Sequence, residues 1–388
     1  MRVLMTALVP SHLMPMVPLS WALRAAGHQV LVAGDAELLK FASAAGLDTH
    51  LIGGGELRRR LTRPGAVAMP DRATMDRRPD SEWDAAGERW RTRLGGYIDD
   101  LVRLGRDWSA DLVVTDPVEF GGLVTAAALG VPGIVHRWGP DDFTSALLRQ
   151  AKVQLHDLCR EFGAEGFPDP AVVVDPSPAS LVPGGDNTPG LLTRYIPYCG
   201  TARLPDWALG APERPRVLLC LGMWHARVLA ETGELPLGFR HVLDFCTARD
   251  LDVLVPIDAQ YHPALAGVPA AVKVVDHFPI GPLMRHTSLV VHHGGSGTAM
   301  TSFAEAVPQL VVAGDKPFLQ TTGRLVHESG SGISLLDEAD QHDPQIVGEA
   351  LAGLLGDERY GKSAREVRTE IECLPGPTEL VRTLEGLI

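Results

Sequence analysis

Two doubly wound α/β domains are the architecture this sequence predicts. Three observations carry that expectation. Short apolar runs that read as buried strands alternate with helical segments through residues 1–140. The alternation restarts at residue 216, beyond a stretch dense in proline and glycine. At 388 residues the chain is long enough for two cores of roughly 150 residues each.

The apolar run 2–9 predicts the first strand. Residues 14–26 predict a helix, with Met16, Leu19, Leu23 and Ala26 at helical spacing and Gly27 to stop it. A strand follows at 29–33 and a short helix at 36–45. The stretch 53–80 is rich in Arg, Gly and Pro and predicts a long surface loop. Its basic run, Arg58, Arg59, Arg60 and Arg63, reads more simply as a solvated face than as a binding site. Residues 83–108 predict a helix, 112–115 a strand, 120–129 a helix closed by Gly130, and 133–136 a strand. Proline and glycine are dense over 168–215, and 205–215 is the best linker. Strands then follow at 216–221, 251–256, 272–275, 289–292 and 309–313. Helices are expected at 235–248, 298–306, 318–329, 343–372 and 377–388. The domains so drawn are 1–204 and 216–372, with 205–215 between them and a final helix at 373–388. In open α/β sheets ligands sit at the carboxyl ends of the strands, so a cleft faced by two such domains is the expected active site.

Bulk properties exclude several classes of function. The formal net charge is −13, which argues against a broad nucleic-acid or polyanion role. The cysteines at 159, 199, 220, 246 and 373 are odd in number and lack CxxC spacing, so neither a disulfide framework nor a zinc site is expected. Reduced thiols, a start without signal-peptide pattern and the lack of an 18-residue apolar run predict a cytoplasmic protein without a membrane span. A homodimer stays open.

The most informative segment is HHGGSGT at 292–298, where a strand runs into a glycine-rich turn and a helix. Gly294, Gly295 and Gly297 let the backbone approach a ligand. The helix start offers unpaired N–H groups and the positive end of the dipole, a receptor suited to a diphosphate. His293 adds a hydrogen bond, or a charge if protonated; Ser296 and Thr298 add hydroxyls, and Thr298 equally suits an N-cap. Paired imidazoles at a strand end are poor core material, which favours a ligand site over a bare turn. GxxxxGKS is absent, and GxGxxG does not occur at the first strand–helix turn.

This segment resembles the signature of the GT-B glycosyltransferases of family 1, most of all the branch that moves deoxysugars from thymidine diphosphate (TDP) onto polyketide and other antibiotic aglycones. The resemblance spans nearly the whole chain. It is carried by the start MRVLMTALVPSHLMPMVPLSWALRAAGHQV, HRWG at 136–139, LCLG at 219–222, HFPIGPLM at 277–284, HHGGSGT, and PQLVV at 308–312. It implies an inverting, metal-independent transfer with the TDP-sugar as co-substrate and no cofactor. It also implies an N-terminal acceptor domain, a C-terminal donor domain, and a final helix crossing back to the first. His293 would contact the diphosphate, with Gly294, Gly295, Ser296, Gly297 and Thr298 lining the same pocket. The loop at Gly222 and Met223 would flank sugar and phosphates, and Phe278, Pro279 and Ile280 would hold the base.

Two positions depart from the family pattern. Many relatives carry a ribose-gripping glutamate where this chain has Thr301. Deoxyribose lacks the 2′-hydroxyl, so Thr301 fits a thymidine donor. Relatives also carry Asp-Gln, to grip sugar hydroxyls, where this chain reads VVAGDKPFLQTTG at 311–323. Asp315 and Gln320 are nearby candidates for that work.

An inverting transfer needs a base for the acceptor hydroxyl, and histidine suits that role near neutral pH. His12 follows the first strand at the carboxyl edge of the sheet, and the resemblance implies the same position. Asp116, just after the strand 112–115, would orient it; the alternative is that Asp116 caps the helix after Pro117. His136 and Trp138 end a strand on that edge and, with Met14, Met75 and Asp142, are acceptor-side candidates. Met14, Met16, Met69 and Met75 belong to adaptable apolar segments, and Met16 also fits the core. Asp141 or Asp142 is the alternative base. Two other functions compete: a nucleotide-sugar epimerase on the same fold, and a non-catalytic helper that has lost the chemistry.

Overall fold

The computed structural model describes residues 1–53, 75, 77–184, 190–265, 267–276, 279–314 and 317–388. Phe278, Asp315, Met69 and the arginines of 58–63 lie outside these, as does the side chain of Met223.

The chain divides into two compact units. One comprises Met1–Pro178, Val182–Arg194 and Leu374–Ile388, the other Ala179–Leu181 and Tyr195–Cys373. The first unit holds a parallel sheet of β1 (Arg2–Thr6), β2 (Gln29–Gly34), β3 (Asp48–Leu51), β4 (Leu112–Thr115), β5 (Gly133–His136), β6 (Val172–Asp175) and β7 (Leu191–Leu192). Its order is β3-β2-β1-β4-β5-β6-β7. The second holds β8 (Arg216–Cys220), β9 (Asp252–Pro256), β10 (Val272–Val275), β11 (Leu289–His292), β12 (Gln309–Val312) and β13 (Gly332–Leu335), in the order β10-β9-β8-β11-β12-β13. In each, the first strand has its second behind it on one side and a later strand on the other. The strand order therefore reverses at β1/β4 and at β8/β11, the places where open α/β sheets bind ligands. Thr6 pairs Thr115 at one switch point, and His292 pairs Cys220 at the other.

Continuous apolar runs make the central strands, because helices cover both faces. Every residue of β4, β8, β11 and β12 is buried. The first core joins Leu4, Val113, Phe120 and Val135; the second joins Val217, Leu219, Phe239 and Val291.

Local chemistry redraws several expected elements. The helix expected at 14–26 is a turn of helix Pro10–Leu13, a 3₁₀ turn Met14–Met16 and a helix Val17–Ala25, each with a proline in its first turn. Proline lacks the N–H that a helix interior needs, so each one restarts the helix. The helix expected at 83–108 breaks after Leu94, at Gly95–Gly96, into Asp80–Leu94 and Ile98–Asp107. A helix Gly222–Thr232 stands where a loop was expected after LCLG. The helix expected from Thr298 is Ser296–Ala304 with Gly295 at its N-cap, so Thr298 is not the cap. The helix Pro377–Glu385 belongs to the first unit, where it packs against Val17–Ala25 with Leu380, Val381 and Leu384 buried. Glu385 Oε1 lies 2.9 Å from His28 Nε2. Among the described residues no helix is long and apolar enough to cross a membrane.

Candidate active site

At the β1/β4 switch point the chain leaves β1, turns, and starts the short helix that carries His12. Its Nδ1 lies 3.1 Å from Asp116 Oδ2. The same oxygen accepts the Leu8 N–H at 2.7 Å, while Oδ1 accepts those of Val118 at 2.7 Å and Glu119 at 3.0 Å. Asp116 is buried. Burial pushes its carboxyl up, but the charge of His12, the bond to it and the backbone donors outweigh that and hold it below the usual carboxylate range. An ionised carboxylate can only accept, so the proton in this bond belongs to His12 Nδ1, and Nε2 lies on the opposite edge of the ring. The helix Phe120–Leu129 is capped by Glu119, whose side chain accepts the Gly121 N–H. Asp116 is therefore not the cap, although it pins the turn before it.

At the β8/β11 switch point, His292 ends β11 fully buried. Its Nε2 faces Gln309 Oε1 at 2.9 Å, and its Nδ1 accepts the Gly294 N–H at 3.1 Å. Burial pushes it down to about 4, so it is neutral. The reading of the paired imidazoles as poor core material is corrected for His292, which is core material because each of its nitrogens has a partner. It fixes the turn, where Gly294 adopts φ +96° and a Cβ would come within 2.6 Å of the Leu319 carbonyl oxygen. His293 is half-buried. A Cβ on Gly295 would lie 2.8 Å from its Nε2, and one on Gly222 would collide with its ring. Only glycines on both sides leave room for this imidazole. Burial, with His225 and His292 nearby, pushes it down to about 3, so it offers a hydrogen bond and no charge. The positive potential comes from the helix Ser296–Ala304, whose Ser296, Gly297 and Thr298 N–H groups have no intrahelical partner.

Comparison with known proteins shows the family. Residues 21–222 match the N-terminal domain, and 240–387 the C-terminal domain, of the erythromycin biosynthesis protein CIII-like family. The chain belongs to this family. It is a GT-B glycosyltransferase of the branch that works in antibiotic and polyketide biosynthesis. It is 33% identical over 392 residues to an L-demethylnoviosyl transferase of Streptomyces niveus, covering 100% of this chain and 97% of that one. It is 31% identical over 427 residues to a 10-deoxymethynolide desosaminyltransferase of Streptomyces venezuelae, again covering 100% and 97%. The spinosyn rhamnosyltransferase SpnG, solved with thymidine diphosphate, superposes with a TM-score of 0.84 at 30% identity, over 99% of this chain and 100% of that one.

The other expected residues of this glycosyltransferase are distributed unevenly. Trp138 stacks on His12, with ring centroids 3.9 Å apart and planes at 20°. His136 is buried, its Nδ1 2.6 Å from the Arg137 carbonyl oxygen, and burial pushes it down to about 4. Met75 is core, at 2% exposure in the cluster that holds Trp83, while Met14 and Asp142 are half-buried. Asp141 is no free base: it is buried, lies 3.3 Å from Arg137 Nε, and accepts the Phe143 and Thr144 N–H groups and the Thr144 hydroxyl. In the second unit, Thr301 is fully buried, and its hydroxyl donates to the Gly297 carbonyl oxygen at 2.7 Å. Pro279 is buried, and Ile280 packs beside Leu283 in a small cluster. Gln320 donates to the Gly314 carbonyl oxygen at 3.4 Å. Two features escaped sequence reasoning. His225, on the helix Gly222–Thr232, places its ring 5.3 Å from that of His293; its only signal was its place five residues after Cys220. Arg137, fully buried and bonded to Asp175 at 2.7 Å, had no signal beyond HRWG. Among the described residues, no group of three or more His, Cys, Asp or Glu is arranged to hold a metal ion.

Proposed function

We propose that this glycosyltransferase moves a deoxysugar from a thymidine diphosphate donor to a hydroxyl of a polyketide or other apolar natural product, with inversion and without a metal. The observation that carries the reading is the His12–Asp116 pair, with Nδ1 3.1 Å from the carboxylate and Nε2 on the other edge of the ring. His12 Nε2 takes the acceptor hydroxyl proton as the acceptor oxygen bonds to the anomeric carbon. The bond from that carbon to the diphosphate oxygen breaks, and the diphosphate leaves with the electron pair. Displacement in a single step inverts the anomeric centre. Asp116 stabilises the imidazolium that forms. The helix N-terminus at Ser296 and the His293 imidazole receive the departing charge.

Thr301 in place of a ribose-gripping carboxylate supports a thymidine nucleotide, as does the diphosphate bound in SpnG. The same relative, solved with its spinosyn aglycone, supports an apolar acceptor. The test is release of thymidine diphosphate from TDP-deoxysugars, with a chelator present, as a panel of polyketide aglycones is varied. Release that depends on the aglycone is expected. Sugar conversion without an aglycone would instead mark an epimerase, and binding without turnover a helper protein.

A further inference from the structure

We propose that Trp138 is a positioning residue for the base, holding the plane of the His12 imidazole and stabilising its protonated form through the indole face. The inference rests on the reading of His12 as the base. The bond to Asp116 fixes one ring nitrogen but leaves the imidazole free to rotate about that bond. The stack removes that freedom: the rings lie 3.9 Å apart and 20° from parallel, too close for another group to enter between them. The indole face turned to His12 is thereby unavailable to an acceptor.

Trp138 is itself held from behind. Its neighbour Arg137 is fully buried, bonded to Asp175 at 2.7 Å and 3.3 Å from Asp141. Asp141 in turn accepts the N–H groups of Phe143 at 3.2 Å and Thr144 at 2.9 Å, which ties the segment to the helix Thr144–Gln154. Phe143 packs against the indole at 5.6 Å between centroids. This guanidinium, paired with carboxylates at the ends of β6 and of its own loop, makes a rigid mount for one aromatic ring. The face of an indole attracts a cation. When His12 takes a proton it becomes that cation, with Asp116 bonded to one edge and Trp138 under one face. The charged groups of this segment, Arg137, Asp141 and Asp175, are paired with one another.

The experiment compares Trp138→Leu, which keeps apolar bulk without a π face, with Trp138→Phe, which keeps one. The readouts are the pH profile of kcat/KM, kcat and KM for the acceptor, and the affinity for thymidine diphosphate. In Trp138→Leu the acid limb should move to lower pH by about half a unit, because the protonated base loses its aromatic partner. Its kcat should fall by roughly tenfold with thymidine diphosphate affinity unchanged. Trp138→Phe should restore most of both effects. An acid limb that stays in place, or a loss confined to acceptor KM and equal in both variants, would make Trp138 an acceptor wall and overturn the proposal. Failure of the underlying reading shows separately, as full turnover in His12→Ala.

Discussion

His136 and His292 are imidazoles that the fold keeps neutral, each pushed by burial from 6.5 to about 4. The folded chain then refuses a proton that the unfolded chain accepts. Their contribution to stability is full above pH 6.5 and is lost progressively as the pH falls toward 4. By pH 5 the loss is about 2 kcal/mol for each. Asp141 works in the opposite sense: burial raises it to about 6 against the pull of Arg137, so it gains stability as the pH falls below that value. One carboxyl offsets only about 1 kcal/mol of the loss. The melting temperature should therefore fall between pH 7 and pH 5, as calorimetry would show; a flat or rising profile would contradict the burial of these rings. At this scale the sequence was readable where a residue's chemistry is tied to its place on a strand end. His12 and Asp116 were paired on that ground, and their side chains lie 3.1 Å apart. His292 was misjudged because its partner Gln309 lies on another strand, and pairing across strands leaves no local mark. The partners of Arg137 were hidden for the same reason.

The elements that build the two sites are strand–turn–helix units, and their glycines carry the geometry. Gly294 sits at φ +96° with the Leu319 carbonyl oxygen where a Cβ would go. A side chain there is strained and collides with backbone, which cannot swing aside. Gly294→Ala should lower stability by roughly 1–3 kcal/mol and weaken thymidine diphosphate binding by at least tenfold, with the His12 site unchanged. Isothermal titration together with thermal unfolding checks it, and unaltered affinity would show that the turn does not cradle the diphosphate. The inner strands of both sheets were legible because burial on two faces makes them continuous apolar runs. The peripheral strands β3, β6, β7 and β13 were missed. They are two to four residues long, and β3 and β7 are partly exposed. Helix boundaries went astray at Pro15, Pro18, Gly95 and Gly222, where apolar periodicity continues but the backbone does not.

Across the whole molecule, two sheets of similar order each bring one chemical capacity to a switch point. The first unit carries the His12–Asp116 pair that we propose as the base; the second carries a neutral imidazole and a helix N-terminus. Two parallel sheets were legible from periodicity; the helix Pro377–Glu385 groups with the first unit, and the chain passes to the second unit at Tyr195. The binding of the diphosphate and the activation of the acceptor should therefore be separable. The most direct measurement is the turnover of His12→Ala with a TDP-deoxysugar and an aglycone, taken alongside its thymidine diphosphate affinity. Loss of kcat by about 100-fold or more, with affinity for the diphosphate intact, is the predicted result. Near-normal turnover in that variant would contradict the assignment of the base and, with it, the account of transfer.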